Sequence, residues 1–406
     1  MAIINPVVYG AGGLKAELVI SFENGAVVTA TNGDTVLRAT VNNKTAKIKL
    51  TKPGDWTITA VLGERTTIPQ VITVLEEYPV TLLLDPIISK YPANPALSVG
   101  RTMLGATTVG NHVLFGGGFN ANLSVTERAE VDAYDNTLTR SSVTSLSKAT
   151  IDVAAGTVGD NAVFGGDQLV NAYNVNLVRT IPVGFSVPHI GPAVTDVGNH
   201  LLFAGGGTTV NGVEQNKAEV EAYDQQLTHS VITSLSANRR DLAATSVGEF
   251  ALIAGGYNGY ALNTVDAYNQ NLTRMIPTAM TTSRYDLSAT HVGGFALFAD
   301  GYNGSYPHSA DVYDQTLTRL TPLDMKWNYR SQKALNFSNR AIFANNVELE
   351  AYDVTLTRTL VNNGLSISRT DYAAAVVGNF ALFGGGYHYT STSVYYDVID
   401  VYMVTQ

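Results

Sequence analysis

The chain has no cysteine. That absence excludes disulfides, thiolate nucleophiles and cysteine-based metal sites in one step. Charge is sparse as well: 25 Lys and Arg against 34 Asp and Glu leave a formal charge of -9, with no long basic run. Such a balance argues against nucleic acid or an anionic membrane as the main partner. No apolar stretch approaches the roughly 18 residues that a membrane helix needs. The opening segment, MAIINPVVYGAGGLKAELVISFENG, lacks a basic region followed by an apolar one. The expectation is a protein soluble as made, without an N-terminal secretion signal. H-E-x-x-H, G-x-S-x-G and phosphate-binding loops are missing too. What is present is a hydrophobic content of 45% over 406 residues, enough to bury a large core in one or two domains.

That core is written as a repeat. Val-Gly, or once Phe-Ser, precedes an apolar run of the ALF, LLF or VLF kind at Val109, Val158, Val197, Val247, Val292, Phe337 and Val377. The gaps are 49, 39, 50, 45, 45 and 40 residues. A period of about 45 suits propeller blades of four short strands and is too long for leucine-rich or ankyrin units. In the fourth copy, LAATSV reads as strand a, Gly248-Glu249 as a two-residue turn and FALIAGG as strand b. NTVDAYN reads as strand c and LTRMIP as the outer strand d. Glycine supplies the positive φ of the a–b turn, and only Ser338-Asn339 breaks that pattern.

Spacing also says where the repeat is free to vary. From the strand-c tyrosines (Tyr134, Tyr173, Tyr223, Tyr268, Tyr313 and Tyr352) to the next Val-Gly or Phe-Ser, the distance is 24 residues five times and 25 once. From each Val-Gly or Phe-Ser to its own tyrosine it ranges from 15 to 26. The variation therefore sits between strands b and c. In a four-stranded meander the b–c loops and the d–a connections emerge on one face, which becomes the candidate functional face.

These copies resemble Kelch repeats over roughly residues 95–406, through the Gly-Gly after strand b, the Tyr-Asp ending strand c and the Arg before strand a. The resemblance implies an all-β fold, a seven-bladed Kelch-like β-propeller. One departure concerns packing: Leu138, Leu177, Leu227, Leu272, Leu317 and Leu356 stand where Kelch repeats usually carry a strand-d Trp. The seventh copy ends in VIDVYMVTQ, with no room for a strand d. Counting back from Val109 predicts that residues 87–92 supply that strand and close the ring. A Kelch-type copper oxidase would need a Cys cross-linked to Tyr, which this chain does not have.

Residues 1–86 have a different texture. Alternating strands separated by Asn-Gly, Asn-Asn and Pro-Gly turns predict a small Ig-like antiparallel β-sandwich with Trp56 in its core. This stretch resembles β-sandwich modules of tail and baseplate proteins of tailed phages and prophages, through Gly25, Val28, Gly33 and PGDWTITA. The LTR and ALFGGGY phrasing is similar to that of phage-borne Kelch-like proteins. The domains expected are thus an attachment module, 1–86, and a propeller, 87–406.

Two sets of residues on the candidate face invite a ligand. Eight residues before each Val-Gly or Phe-Ser stand Arg101, Thr150, His189, Arg239, Arg284, Tyr329 and Arg369. Four arginines would form a partial basic ring at the channel mouth, suited to carboxylate or phosphate. Alternatively each pairs within or between blades, with Asp241, Asp286 and Asp371 the nearest acids in sequence. Tyr260, Tyr306 and Tyr389 lie well inside the b–c loops and offer flat apolar surface to a sugar ring or a protein. Tyr257, Tyr302 and Tyr387, directly after the glycines, are expected to pack over the blade edge. His112 and His200 share one slot beside the a–b turn, and the seven histidines show no ligand spacing, so neither metal nor cofactor is expected.

Together these features point to a phage or prophage virion protein made in the bacterial cytoplasm, and not an enzyme. Its N-terminal module would dock on other virion proteins and its propeller would face a cell-surface polysaccharide or a neighbouring virion protein, with no nucleic acid or membrane partner. An oligomer is compatible with that layout. A glycan-acting enzyme is the alternative, weakened because Glu127 and Glu214 share no motif. An intracellular Kelch adaptor ranks last.

Overall fold

A computed structural model describes residues 2–4, 7–8, 16–21, 25–40, 42, 45–50, 54–62, 65–66, 70–74, 82–84, 87–93, 95–210, 213–326, 333–345, 348–389 and 392–405. Among these residues every regular element is a β-strand, and the strands form many small antiparallel sheets. The chain divides into two units, Met1–Lys90 with Tyr402–Gln406, and Tyr91–Val401.

The first unit holds two five-stranded sheets. Ala2–Ile4, Val7–Val8, Ala16–Ser21, Thr45–Leu50 and Leu82–Leu84 make one. Val27–Asn32, Thr35–Thr40, Gly54–Leu62, Arg65–Thr66 and Gln70–Val74 make the other. Gly33, at φ +58, begins the two-residue turn that pairs Asn32 with Thr35. Along neighbouring strands Val28 and Ala30, then Trp56, Ile58 and Ala60, are fully buried. Their spacing of two is that of a sheet with one covered face. Trp56 lies in this core, as the sequence suggested.

Seven four-stranded antiparallel sheets account for most of the rest. In sheet four, strands a to d are Ala243–Val247, Phe250–Ala254, Val265–Asn269 and Arg274–Met275, paired in that order. The first strands of the other six, in chain order, are Gly105–Val109, Ala154–Val158, Ala193–Val197, Ser288–Val292, Lys333–Asn336 and Ala373–Val377. Each first strand packs against the first strand of the next sheet, and that of sheet one also packs against that of sheet seven. Apolar clusters fill the seams: Leu252, Ala254 and Ala267 of sheet four meet Ala296, Phe298 and Tyr313 of sheet five. Strand b is buried on both sides because a sheet covers each of its faces.

The seventh sheet is completed from the other end of the chain. Its strands Ala373–Val377, Phe380–Gly384 and Ile399–Thr405 are followed by Ile87–Lys90, which pairs from Ile87 with Thr405 to Lys90 with Tyr402. The count from Val109 had placed a strand there. Two details differ from the sequence reading. Leu138, Leu177, Leu227, Leu272, Leu317 and Leu356 lie in the c–d turn, not in strand d, at φ between +60 and +63. They hold this left-handed conformation, costly for a residue with a Cβ, while packing onto the apolar seams. Ser338 and Asn339 also form a tight turn without glycine, at φ +52 and +55, closed by mutual hydrogen bonds between Phe337 and Arg340.

Candidate functional site

Glycine makes the face possible. After strand b of sheet four, Gly256 has φ +108, and a Cβ there would stand 2.8 Å from the Arg240 carbonyl. Only glycine allows the incoming d–a connection to pass so near the b–c loop. The two segments then pair: Arg240 with Tyr257, and likewise Thr102 with Phe119, Ile190 with Gly207, Tyr285 with Tyr302 and Thr370 with Tyr387. The b–c loops and d–a connections thus share one face, as the strand order required.

The four arginines lie beneath this face rather than on it. Arg101, Arg239, Arg284 and Arg369 are at most 2% exposed. Each guanidinium binds a strand-c aspartate: Asp132 at 2.9 Å, Asp266 at 2.8 Å, Asp311 at 2.5 Å and Asp400 at 2.8 Å. Three also donate to the strand-b carbonyls of Phe115, Ile253 and Phe383. The same aspartates accept from the backbone N–H of Ser98, Ser236, Thr281 and Ser366, fastening each d–a connection to the third strand of the sheet it enters. Two residues further along strand c, Tyr134, Tyr268 and Tyr313 donate to the carbonyls of Ala96, Thr233 and Thr278. Burial draws Arg101, Arg239 and Arg284 below the ordinary guanidinium range, and the paired carboxylates oppose it. The pairing is therefore structural, and its partners are not Asp241, Asp286 and Asp371. Tyr329, in the same slot, lies outside the described residues.

Those three aspartates do something else. With Asp152 they take φ of +48 to +54, a turn that aims the chain inward. A cavity of about 400 Å³ opens there, lined by residues of the first strands of all seven sheets. Asp152, Asp241, Asp286 and Asp371 line it together with Met103, Gly191 and Lys333, above a belt of Ala106, Ala155, Ala244, Ala289, Ala334 and Ala374. The mouth is acidic, so of the two readings of the arginines the ligand-binding basic ring is set aside and the structural pairing holds, with other partners than the nearest acids in sequence. Burial raises Asp152 to about 6, with Asp371 and Asp286 adding to the rise and Lys333 opposing it.

A strip of aromatic rings runs along the b–c loops of sheets four and five and the d–a connection between them. Tyr257 and Tyr285 are 5.1 Å apart, Tyr285 and Tyr302 5.8 Å, and Tyr302 and Tyr306 5.1 Å between centroids. Arg240 caps the strip 5.5 Å over Tyr257. A second group joins Tyr387, Tyr395 and Phe119. Tyr285 directly precedes Asp286, so on that connection the aromatic strip and the carboxylate rim are one residue apart. Tyr257, Tyr302 and Tyr387 are half-buried, whereas Tyr260, Tyr306 and Tyr389 are 67%, 46% and 71% exposed. Sequence reasoning missed Tyr285 and the strand-c aspartates. The aspartates left a signal in the recurring Asp-x-Tyr of strand c.

Among the described residues no group of three or more His, Asp or Glu side chains is placed to hold a metal ion. Glu214 is bound to Arg240, while Glu127 is exposed with its backbone bridged to Phe119. No protein-family model matches the chain, and no curated protein matches it either.

Proposed function

We propose that the seven sheets are blades of a Kelch-like β-propeller, that the two five-stranded sheets form an Ig-like β-sandwich, and that the protein is a phage or prophage virion component. The propeller face recognises a host-surface polysaccharide, the sandwich docks on a neighbouring virion protein, and no catalysis is assigned. The cyclic neighbour relation of the first strands supports the ring. The observation that carries recognition is the exposure of Tyr260, Tyr306 and Tyr389 on loops fixed to a rigid frame. Exposed tyrosines at preordered positions bind flat, weakly polar surfaces without a large ordering cost. The carboxylates at the mouth favour neutral or amine-bearing sugars over acidic ones. Titration calorimetry of the full chain against polysaccharide fractions of candidate host envelopes tests this reading. Binding that falls at least about tenfold when the three tyrosines become alanine supports it. Absence of binding to every fraction, or binding indifferent to the three substitutions, overturns it.

A further inference from the structure

The connections between strands b and c are short in two sheets and long in five. Two residues join these strands in sheet two and three in sheet six, against nine to fifteen in the other sheets. First strands pack against one another in cyclic order. Sheets three, four and five therefore stand between sheets two and six on one side, and sheets seven and one on the other. The short connections divide the face into two walls.

Each wall is tied along its own length. In the first, the sheet-three loop reaches sheet four through Glu214 to Arg240 and through Asn216 to Asn258 at 3.4 Å. Tyr285, set between Tyr257 and Tyr302, then joins the loops of sheets four and five. In the second, Asn122 of the sheet-one loop donates to the Ser393 carbonyl of the sheet-seven loop at 3.0 Å, and Phe119 meets Tyr395 edge-on at 6.0 Å. Both walls carry exposed apolar side chains, Val213, Tyr260 and Tyr306 on one and Leu123, Val125 and Tyr389 on the other. At the sheet-two end Gly166 pairs with Leu169 across the two-residue turn Asp167-Gln168, so no loop stands there. Between the walls lies the mouth of the cavity.

We propose that the face is a groove open at both ends, over sheets two and six, and that it holds an internal stretch of a linear polysaccharide. The inference rests on the polysaccharide reading given above and adds to it the part of the polymer that is bound. A pocket walled on every side takes a chain end, whereas a groove without end walls lets the chain run through. An extended polypeptide would add to this face by pairing with backbone groups. Those at the foot of the walls are already used, Thr102 with Phe119, Arg240 with Tyr257, Tyr285 with Tyr302 and Thr370 with Tyr387. The tyrosine rings remain as the contact surface, and sugar rings pack on them.

The test uses the full chain and a host-envelope polysaccharide fraction cut by partial acid hydrolysis and sorted by length. Calorimetry with the unmodified protein is expected to show affinity per polymer chain rising at least about tenfold from the shortest fragments to the longest. Beyond the length that fills the groove the rise continues in proportion to length, because each internal register is a further site. Inserting about six Gly and Ser residues between Asp167 and Gln168 raises a loop over the sheet-two end. That variant should bind long chains at least about tenfold more weakly, while the same insertion after Ser124, on a wall, changes binding less than about twofold. Short fragments should bind both variants as they bind the unmodified chain, which also reports that the variants fold. Affinity that stays flat with length, or a sheet-two insertion without effect on long chains, overturns the groove and leaves the recognition reading standing. Failure of every fraction to bind, including the case in which only an extended polypeptide is held, overturns both.

Discussion

The a–b turns and the b–c loops lie at opposite ends of the same strand b, and they meet different surroundings. A Cβ on Gly159, Gly198 or Gly248 in the a–b turns would come within 3.1 to 3.2 Å of Gln225, Gln270 or Gln315 in the c–d turn of the next sheet. A Cβ on Gly259 or Gly304 in the b–c loops would meet nothing within 4 Å. The crowded turn has two residues in all seven sheets, while the open loop varies with the length between Val-Gly or Phe-Ser and its tyrosine. Where the next sheet presses on a segment its length is fixed. Where solvent takes that place the chain is free to insert, and recognition surfaces are built.

Three changes test that contrast, the largest first. Arg239→Ala leaves the buried Asp266 without its main partner, and we expect a loss of about 3–5 kcal/mol in urea unfolding. A loss under about 1 kcal/mol would mean that the tie under the face is as dispensable as the loops above it.

Asp152→Asn is expected to act in the opposite sense. Its carboxyl is raised from 3.8 to about 6, so the folded state retains a proton that the unfolded chain has released. Stability therefore falls as pH rises from 3.8 to about 6, and the full cost is present above that. The amide removes it, stabilising the fold by about 2 kcal/mol at pH 7 and flattening the profile between about pH 4 and 6. An unchanged profile would show that the mouth does not burden the fold with buried charge.

The smallest effect belongs to Tyr260→Ala, which should shift stability by no more than about 0.5 kcal/mol while weakening the glycan binding proposed above. A larger loss of stability would show the loop to be part of the frame.

Much of the fold was legible because its signals are local. Val247 pairs with Phe250 across the turn that Gly248 announces, and the missing outer strand was found by counting residues. Ion pairing was not legible in the same way. Arg239 and Asp266 are 27 residues apart, whereas Asp241 is the nearest acid in sequence, two residues away. The positive φ of Asp241 turns it toward the cavity, and nothing in its neighbours' identities signals that. Asp266 and Tyr268, two apart in a strand, share a side and fasten the same connection. The aromatic strip was half legible: exposure followed distance from the glycines, but Tyr285 enters from a d–a connection.

Sequence alone determined the number of repeats, the register of strands a and b, and the end of each sheet free to vary, because tight turns depend on near neighbours. Tertiary structure decided where the charges went. A guanidinium finds its carboxylate only after a strand has crossed the sheet, so the arginines went inside and the aspartates beside them in sequence were left to line the mouth.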